Sequence, residues 1–222
     1  MIKAILYDLD GVLVHAVQIH YDAFNMALMD VSGTSIAPEE EEEFNGLPTK
    51  KKLDKLQEWG RVKKADKQVI WEKKQERTID AVKKNLTYDS DKTDLHIFTR
   101  GLGLRSACIT NSITDTAQLM LECSGQWLHM DFLISNQMVK RPKPHGEGYI
   151  RAMVRMGLQP DDVLIVEDSK RGIEAAKSTS ANIWHVKDAH DVTLPGFKKA
   201  MAELFGKSYL RELMLETINA DR

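Results

Sequence analysis

The sequence predicts an α/β fold in which a parallel, doubly wound sheet carries a small inserted helical cap domain. After about residue 91, short apolar segments alternate with stretches of helical periodicity, the pattern of strands joined by crossover helices. Before that point the chain is rich in charge and lacks long apolar runs, apart from one apolar segment at its start. We therefore assign residues 1–14 and 91–222 to the α/β core and residues 15–90 to the cap.

Five apolar segments are the candidate strands of the core. They span residues 3–7, 106–110, 131–135, 163–166 and 182–186. Helices are predicted between them at residues 114–122, 147–156 and 172–177, and a further helix at 204–218 would close the chain. Strands that alternate with helices in this way form parallel sheets.

Amphipathic helices are predicted in the inserted segment. Its apolar residues recur at helical spacing: Phe24 with Leu28, Leu53 with Leu56, and then Trp71, Ile79 and Val82. The acidic run at 39–43 is interpreted as a solvated helix start, because carboxylates suit the positive end of the helix dipole. The lysine runs Lys50-Lys51-Lys52 and Lys83-Lys84 are expected to face solvent, although lysines on a cap could steer anions toward a site.

Asp8 and Asp10 follow the first strand directly. Side chains alternate along a strand, so these two carboxylates point the same way and repel each other. A divalent cation would relieve that repulsion, and Mg²⁺ is the ion that suits carboxylate oxygens. The alternative is a turn in which Asp10 and Gly11 only reverse the chain.

Three further polar clusters follow, or lie near, other apolar segments. Thr110-Asn111-Ser112 comes after one strand, Lys143 lies in a basic, proline-containing stretch, and Glu167-Asp168 ends another strand. Ligands of open parallel sheets bind beyond the carboxyl ends of the strands. We therefore expect the clusters to meet there and to supply carboxylates, a hydroxyl and an ammonium group.

These four clusters, in this order, resemble the motifs of the haloacid dehalogenase-like superfamily. The similarity is to its subfamily with a helical cap after the first motif, which includes phosphoglycolate phosphatases and β-phosphoglucomutases. It extends over residues 1 to about 190. The matching segments are Asp8-Leu9-Asp10-Gly11-Val12, Ile109-Thr110-Asn111-Ser112, Lys143-Pro144-His145-Gly146-Glu147-Gly148-Tyr149, and Val166-Glu167-Asp168-Ser169 with the residues up to Ala176.

The resemblance implies a phosphoryl-transfer role for four side chains. Asp8 would be the nucleophile that forms an aspartyl-phosphate. Asp10 would protonate the leaving alcohol and then activate water. Thr110 would donate a hydrogen bond to a phosphoryl oxygen, and Lys143 would neutralise charge on the phosphoryl group and on Asp8. Dehalogenases lack an acid at the position of Asp10, because a departing halide needs no proton, so a phosphatase or phosphomutase is favoured.

The resemblance also implies Mg²⁺ as the cofactor. Its ligands would be Asp8, the backbone carbonyl of Asp10 and Asp168, with Glu167 as a second-tier candidate. These are the oxygen ligands that Mg²⁺ prefers.

Substrate-binding residues are expected in the second motif and in the cap. Asn111 and Ser112 follow Thr110 and would lie on the substrate side. The segment containing Gly46, Thr49 and Lys50 resembles the cap loop that faces the site, although a plain helix start is the alternative.

Two further cap residues are candidates by resemblance to sugar-phosphate mutases. His20 matches a histidine that couples cap closure to catalysis, and Lys74 roughly matches a cap lysine. A lysine on a charged helix is otherwise usually solvated.

Some positions depart from the family pattern. His15-Ala16 stands where Asp-Ser or Asp-Thr is usual, so a helix cap is lost or His15 itself reaches the substrate. Gly146 replaces a proline. We place the catalytic amine on Lys143 because Tyr149 then falls at the usual spacing. No departure removes a reacting group.

Composition bounds the class of protein. The 222 residues suffice for one core and a small second unit, and the net charge of −2 provides no electrostatic footprint for nucleic acid. No stretch reaches ~18 consecutive apolar residues, so no membrane span is expected. A start directly in a core strand leaves no room for a signal peptide, and Cys108 and Cys123 lack disulfide or metal spacing, so a cytoplasmic location is expected. A monomer is the default expectation.

The sequence therefore predicts a Mg²⁺-dependent phosphatase that acts on a small phosphorylated metabolite such as a sugar phosphate or a phosphoglycolate-like acid. A β-phosphoglucomutase-like phosphomutase is the alternative among enzymes, and the shared motifs do not separate the two. A non-catalytic binding or regulatory module on the same fold is the alternative of another class, since fold alone does not establish function. Binding of beryllium fluoride, which requires an intact Asp8, would separate that module from the enzymes.

Overall fold

The computed structural model describes residues 1–220 and contains a five-stranded parallel sheet. The strands are β1 (Ala4–Tyr7), β2 (Arg105–Ile109), β3 (Phe132–Ile134), β4 (Val163–Glu167) and β5 (Asn182–His185), in the spatial order β3-β2-β1-β4-β5. The chain moves from β1 to one edge, returns past β1 and continues to the other edge. The predicted α/β fold with a doubly wound parallel sheet is confirmed.

Ten α-helices occur within the described residues. They are α1 (Val17–Ser32), α2 (Glu41–Phe44), α3 (Thr49–Glu58), α4 (Lys67–Asn85), α5 (Ser90–Gly101), α6 (Thr114–Cys123), α7 (Glu147–Met156), α8 (Lys170–Lys177), α9 (Leu194–Phe205) and α10 (Tyr209–Ala220). Short 3₁₀ turns lie at Pro38–Glu40, Lys64–Asp66, Trp127–His129, Asn136–Met138, Pro160–Asp162 and Ala189–Asp191. Over residues 1–220, no helix has both the length and the apolar character needed to cross a membrane.

The two faces of the sheet are buried by different helices. Ile5 and Tyr7 point to the face covered by α5, α6, α9 and α10, whereas Ala4 and Leu6 point to the face covered by α7 and α8. All four residues of β1 are buried, which is typical of a central parallel strand with helices on both sides. The core is thus a helix–sheet–helix sandwich with β1 at its centre.

The helices of the inserted segment pack around an apolar cluster of their own. Its buried members come from α1 to α4 and their connections: Phe24, Ala27, Leu28, Ile36, Phe44, Leu53, Leu56, Val62 and Ile70. Val82, near the end of α4, belongs instead to the cluster of the sheet. An apolar cluster of its own is consistent with the predicted cap domain. The domain boundaries at residues 15 and 90 stay a prediction.

Two helical regions differ from the sequence-based prediction. Helix α5 was not predicted, because its buried face carries Lys92, Thr93, His96 and Thr99 beside Leu95, so no apolar period is visible. The helix expected at 204–218 corresponds to α10, which begins only at Tyr209, because Gly206 with a φ of 97° interrupts the helical backbone; α9, which ends at Phe205, was not predicted.

Candidate active site

The register of the sheet places three of the predicted motifs side by side. Tyr7, the last residue of β1, pairs with Cys108 on β2 and with Val166 on β4. Asp8 follows Tyr7, and its N–H donates to the carbonyl of Val166 over 3.0 Å. Because parallel strands end at the same edge, Asp8, Thr110 and Glu167 all lie there.

Gly11 shapes the turn that follows Asp8. Its φ is 86°, and a Cβ at this position would lie 2.1 Å from Oδ2 of Asp168. Glycine is therefore required both by the backbone conformation and by the close approach of a carboxylate. The turn after β1 and the end of β4 fit together only because this residue has no side chain.

The ammonium group of Lys143 lies between two carboxylates. Its Nζ is 2.6 Å from Oδ1 of Asp8 and 2.5 Å from Oε1 of Glu167. The backbone of Lys143 is held by Asn111, whose Oδ1 accepts from the Lys143 N–H and whose Nδ2 donates to the Lys143 carbonyl, both over 3.0 Å. Burial alone would lower the pKa of Lys143, but Asp8 and Glu167 raise it, so the amine is held as a cation.

Three carboxylates converge around this single ammonium group. Oxygen atoms of Asp8, Glu167 and Asp168 lie within 4.8 Å of one another. Burial and then the charge of Glu167 raise the pKa of Asp8, although Lys143 opposes the shift. The same two causes raise the pKa of Asp168 to about 7. The cluster therefore has an excess of negative charge, which a divalent cation would compensate.

The carboxylates differ in the oxygens they have free for a cation. Oε1 of Glu167 already accepts from Lys143 and, over 2.6 Å, from the hydroxyl of Tyr149. By contrast, Oδ1 of Asp168 is buried and has no hydrogen-bond partner among the described residues. Buried acceptors are normally satisfied. The donor set thus fits a hard cation, with Asp168 offering a free oxygen and Glu167 supporting Lys143.

Asp10 is held by two polar neighbours. Its Oδ1 is 3.0 Å from Nε2 of His20, and its Oδ2 accepts from the hydroxyl of Ser112 over 2.8 Å. Burial raises the pKa of Asp10, but the interactions with His20 and Ser112 outweigh it and lower the pKa to about 2. Asp10 is therefore an ionised carboxylate at neutral pH.

His20 joins Asp10 to Lys74. Nζ of Lys74, a side chain that is only 6% exposed, lies 3.0 Å from Nδ1 of His20. An ammonium group can only donate, so Nδ1 accepts and Nε2 carries the hydrogen of the neutral ring, 3.3 Å from the Ser112 hydroxyl and 3.0 Å from Oδ1 of Asp10. Burial and then the charge of Lys74 lower the pKa of His20, in keeping with a neutral imidazole.

A loop of the inserted segment lies over this site and is bound from the core side. Nδ2 of Asn111 donates to the carbonyl of Gly46 over 2.7 Å. The guanidinium of Arg171 donates to the carbonyls of Asn45 and Glu43 over 3.2 and 3.1 Å. The cavity between the cap and the core has a volume of about 320 Å³, within the range of small-ligand sites.

Most of the residues predicted from the sequence line this cavity. They are Asp8, Asp10, His20, Gly46, Thr49, Lys50, Lys74, Thr110, Asn111, Ser112, Lys143 and Asp168. Glu167 lies beneath the wall and is fully buried. His15 does not line the cavity; its exposed ring contacts that of His190, with the centroids 3.9 Å apart and the ring planes tilted by 45°.

Sequence reasoning missed other residues of the cavity wall. Glu41, from the acidic run interpreted as solvated, and Lys51 and Lys52, expected in solvent, all line it. Lys52 lies three positions after Thr49 on α3, so helical spacing from the predicted cap contact was the available signal. Arg171 also lines the wall and directly follows the fourth motif.

Comparison with known proteins places this architecture in a family. A family model described as haloacid dehalogenase-like hydrolase matches residues 5–186. A putative pyrophosphatase PpaX of Clostridium perfringens is 28% identical over 195 residues, which are 84% of this chain and 85% of that protein. A phosphorylated carbohydrates phosphatase of Thermotoga maritima is 25% identical over 179 residues, 79% of this chain and 81% of the relative.

The fold has counterparts among solved structures. The crystal structure of β-phosphoglucomutase from Clostridium difficile superposes with a TM-score of 0.78 at 21% identity, covering 91% of this chain and 98% of that one. At this level of identity the likeness concerns the fold.

Proposed function

The chain belongs to the haloacid dehalogenase-like hydrolase family, and we propose that it is a Mg²⁺-dependent phosphatase that hydrolyses a small phosphorylated metabolite through an aspartyl-phosphate on Asp8. The observation that carries this proposal is the contact of 2.6 Å between the ammonium of Lys143 and Asp8, in a cavity that Asp10 also lines. A nucleophile, a cation and an acid–base group are thereby brought to one place.

In the first step, a carboxylate oxygen of Asp8 forms a bond to phosphorus as the bond to the leaving oxygen breaks. The leaving oxygen takes a proton from the carboxyl group of Asp10. Asp10 is ionised in the free protein, but a bound phosphate dianion raises its pKa because like charges disfavour a second anion. Lys143 and the Thr110 hydroxyl stabilise the charge on the phosphoryl oxygens.

In the second step, Asp10, now a carboxylate again, removes a proton from a water molecule whose oxygen attacks phosphorus. The bond between phosphorus and Asp8 breaks, and the Asp8 carboxylate and inorganic phosphate are released. One residue serves as acid and then as base, which is ordinary acid–base catalysis.

The metal would be held by Asp8, Asp168 and the backbone carbonyl of Asp10. When bound, Mg²⁺ supplies positive charge that favours the ionised form of Asp8 and offsets the phosphoryl charge. The free buried oxygen of Asp168 supports its role as a ligand, and the hydrogen bonds of Glu167 support a role in orienting Lys143.

The substrate class is proposed from the cavity and from the relatives. A volume of about 320 Å³ suits a small phosphate ester. The names of two relatives, a putative pyrophosphatase and a phosphorylated carbohydrates phosphatase, point to small phosphorylated substrates. Gly46, Thr49 and Lys50 on the cap and Asn111 and Ser112 on the core are proposed to contact the substrate.

The test is Mg²⁺-dependent phosphate release from a panel of phosphorylated metabolites. Asp8→Asn is expected to lower release by at least about a thousandfold, because the amide cannot serve as the nucleophile. Asp94→Asn, at an exposed position of α5, is the matched control and is expected to keep wild-type activity. Substantial release by a folded Asp8→Asn protein would refute the mechanism.

A phosphomutase is the second candidate, favoured by the contacts of His20 with both Asp10 and Lys74. Lys74 and His20 belong to the inserted segment and Asp10 to the core, so this chain of contacts requires a closed cap. A mutase converts β-glucose 1-phosphate to glucose 6-phosphate when a bisphosphate primer is present. Such conversion without net phosphate release would assign the protein to the mutases.

A further inference from the structure

Two histidines contact each other on the surface, outside the cavity between the cap and the core. The ring centroids of His15 and His190 are 3.9 Å apart. Both side chains are exposed, and neither lines the cavity. His15 lies just before α1, and His190 lies in the 3₁₀ turn Ala189–Asp191 after β5. The contact thus joins the chain that leads into the inserted segment to a turn of the core, and the proposed phosphatase chemistry makes no use of it.

The carboxylate of Asp188 orients the ring of His190. Its Oδ1 accepts from the backbone N–H of His190 over 2.8 Å and lies 3.0 Å from Nδ1 of the same residue. These two hydrogen bonds lower the pKa of Asp188, so the group is ionised and can only accept. Nδ1 of His190 therefore donates, and Nε2 of the neutral ring keeps its lone pair. Metal-binding histidines are commonly oriented in this way by a carboxylate on the far nitrogen.

The ring of His15 is not engaged in hydrogen bonds. Within residues 1–220, no group is hydrogen-bonded to its ring nitrogens. Burial and then the charges of His190 and Lys92 lower the pKa of His15, against the opposing effect of Asp188 and Asp89. The ring is therefore neutral at neutral pH, and a neutral imidazole has the lone pair that a metal ion requires.

The backbone that carries each ring is anchored in the core. On one side, Val14 and Ala16 flank His15 and are buried, and the Val14 carbonyl accepts from the N–H of Gly11 over 2.8 Å. On the other side, Ala189 precedes His190, is fully buried, and its carbonyl accepts from Nζ of Lys92 over 2.6 Å. The rings are thus brought together by ordered backbone on both sides.

We propose that His15 and His190 form a binding site for a borderline divalent transition-metal ion such as Zn²⁺, with water completing its coordination. Imidazole nitrogen suits Zn²⁺, Cu²⁺ and Ni²⁺, whereas Mg²⁺ prefers oxygen ligands, so this site and the carboxylate cluster select different ions. Nitrogen ligands lie about 2.0–2.1 Å from Zn²⁺, and exposed rings reach this spacing by rotation about their side-chain bonds. A bound ion would tie the chain before α1 to the core. The inference does not depend on the proposed phosphatase function.

The test is calorimetric titration of the full-length, tag-free protein with Zn²⁺ at pH 7.5. His15→Gln and His190→Gln are each expected to weaken binding at this site by at least about tenfold, because the loss of a supporting partner alone costs 10–100-fold. Asp188→Asn is expected to weaken it by about tenfold for that second reason. His185→Gln, at an exposed position of β5, is the matched control and is expected to keep the wild-type affinity. Unchanged affinity in His15→Gln or in His190→Gln would overturn the proposal.

A second variant separates this site from the carboxylate cluster of Asp8, Glu167 and Asp168. Asp168→Asn is expected to keep the Zn²⁺ binding that depends on His15. Loss of all Zn²⁺ binding in Asp168→Asn would place the ion in the cluster and contradict the histidine site.

Cu²⁺ identifies the ligand atoms directly. In the Asp168→Asn protein, the electron paramagnetic resonance spectrum of one equivalent of Cu²⁺ is expected to show coupling to two imidazole nitrogens, and to one in the additional presence of His15→Gln. A spectrum without nitrogen coupling, or one that His15→Gln leaves unchanged, would overturn the proposal. Both rings are exposed, so the metal-free variants are expected to melt at the wild-type temperature.

Discussion

The side-chain amide of Asn111 donates a hydrogen bond of 2.7 Å to the backbone carbonyl of Gly46, which joins the core to the cap loop. The same side chain holds the backbone of Lys143 through two further hydrogen bonds. One side chain therefore contributes both to the position of the proposed catalytic lysine and to the attachment of the cap loop, which Arg171 also binds. This relationship makes Asn111 a positioning residue whose effects extend to both parts of the site.

Asn111→Ala is expected to lower kcat/KM by about tenfold or more, because it removes hydrogen bonds worth about 1 kcal/mol each. It should also speed hydrogen exchange of the cap-loop amides of Asn45 and Leu47. Asn182→Ala removes comparable amide-to-carbonyl hydrogen bonds at the edge strand β5 and should change neither quantity. Unchanged exchange of the cap loop in Asn111→Ala would argue against the coupling.

Gly11→Ala is expected to reduce both stability and activity. The positive φ costs a non-glycine residue about 1–2 kcal/mol, and the new Cβ would displace the carboxylate of Asp168. Gly33→Ala is the matched control, because Gly33 has a φ of 63° and open space around its Cβ position. Gly33→Ala should have a lower free energy of unfolding but should keep wild-type phosphate release. A fully active Gly11→Ala protein would contradict the conclusion that Asp168 requires a residue without a side chain at position 11.

Divalent metal is expected to raise the melting temperature of the wild-type protein, because a ligand that binds the folded state stabilises it. At a ligand concentration of a hundred times Kd, the free energy of unfolding increases by about 2.7 kcal/mol. Chelation should reverse the rise. Asp168→Asn should lose most of the Mg²⁺-dependent increase, since it removes the carboxylate with a free buried oxygen. Asp161→Asn, at an exposed position before the opposite end of β4, should keep it, and equal increases in the two variants would place the metal elsewhere.

The free energy of unfolding is expected to decrease as the pH is lowered, and the burial of His96 is one cause of this decrease. Its ring is 2% exposed, its Nε2 lies 3.1 Å from Oε1 of Gln126, and burial lowers its pKa to about 4 despite that hydrogen bond. Between pH 6.5 and 4 the unfolded histidine binds a proton that the folded one does not, so lowering the pH favours unfolding in that window.

Urea unfolding at pH 7 and pH 5 measures this contribution. The wild-type protein should lose about 2 kcal/mol more free energy of unfolding than His96→Gln over this interval. His185→Gln, which changes an exposed histidine on β5, should retain the wild-type pH slope. If the free energy of unfolding changed equally with pH in the wild type and in His96→Gln, His96 would not be a cause of the acid sensitivity.

The strands were predictable because burial on both faces leaves a local signal. Each is a short apolar run, and each predicted strand overlaps the observed one with bounds that differ by at most one residue. The motif residues follow from the same signal, since the carboxyl ends of parallel strands share one edge. Helix α5 escaped prediction because its buried face is polar, with Lys92 donating to the carbonyl of Ala189 and His96 bonded to Gln126.

The sequence by itself thus determined the α/β class, the strand segments and the residues that gather at the carboxyl edge of the sheet, because these depend on local periodicity and on strand direction. Only the tertiary structure decided that Glu41, Lys51 and Lys52 of the cap also line the cavity, and which cap side chains contact one another. Lys52 and Lys51 are adjacent lysines in the same helix, yet Lys51 is exposed and Lys52 half-buried. His20 and Lys74 are 54 positions apart and meet because α1 and α4 pack side by side. Such contacts depend on how helices are oriented against one another, which the charge pattern of a single helix does not encode.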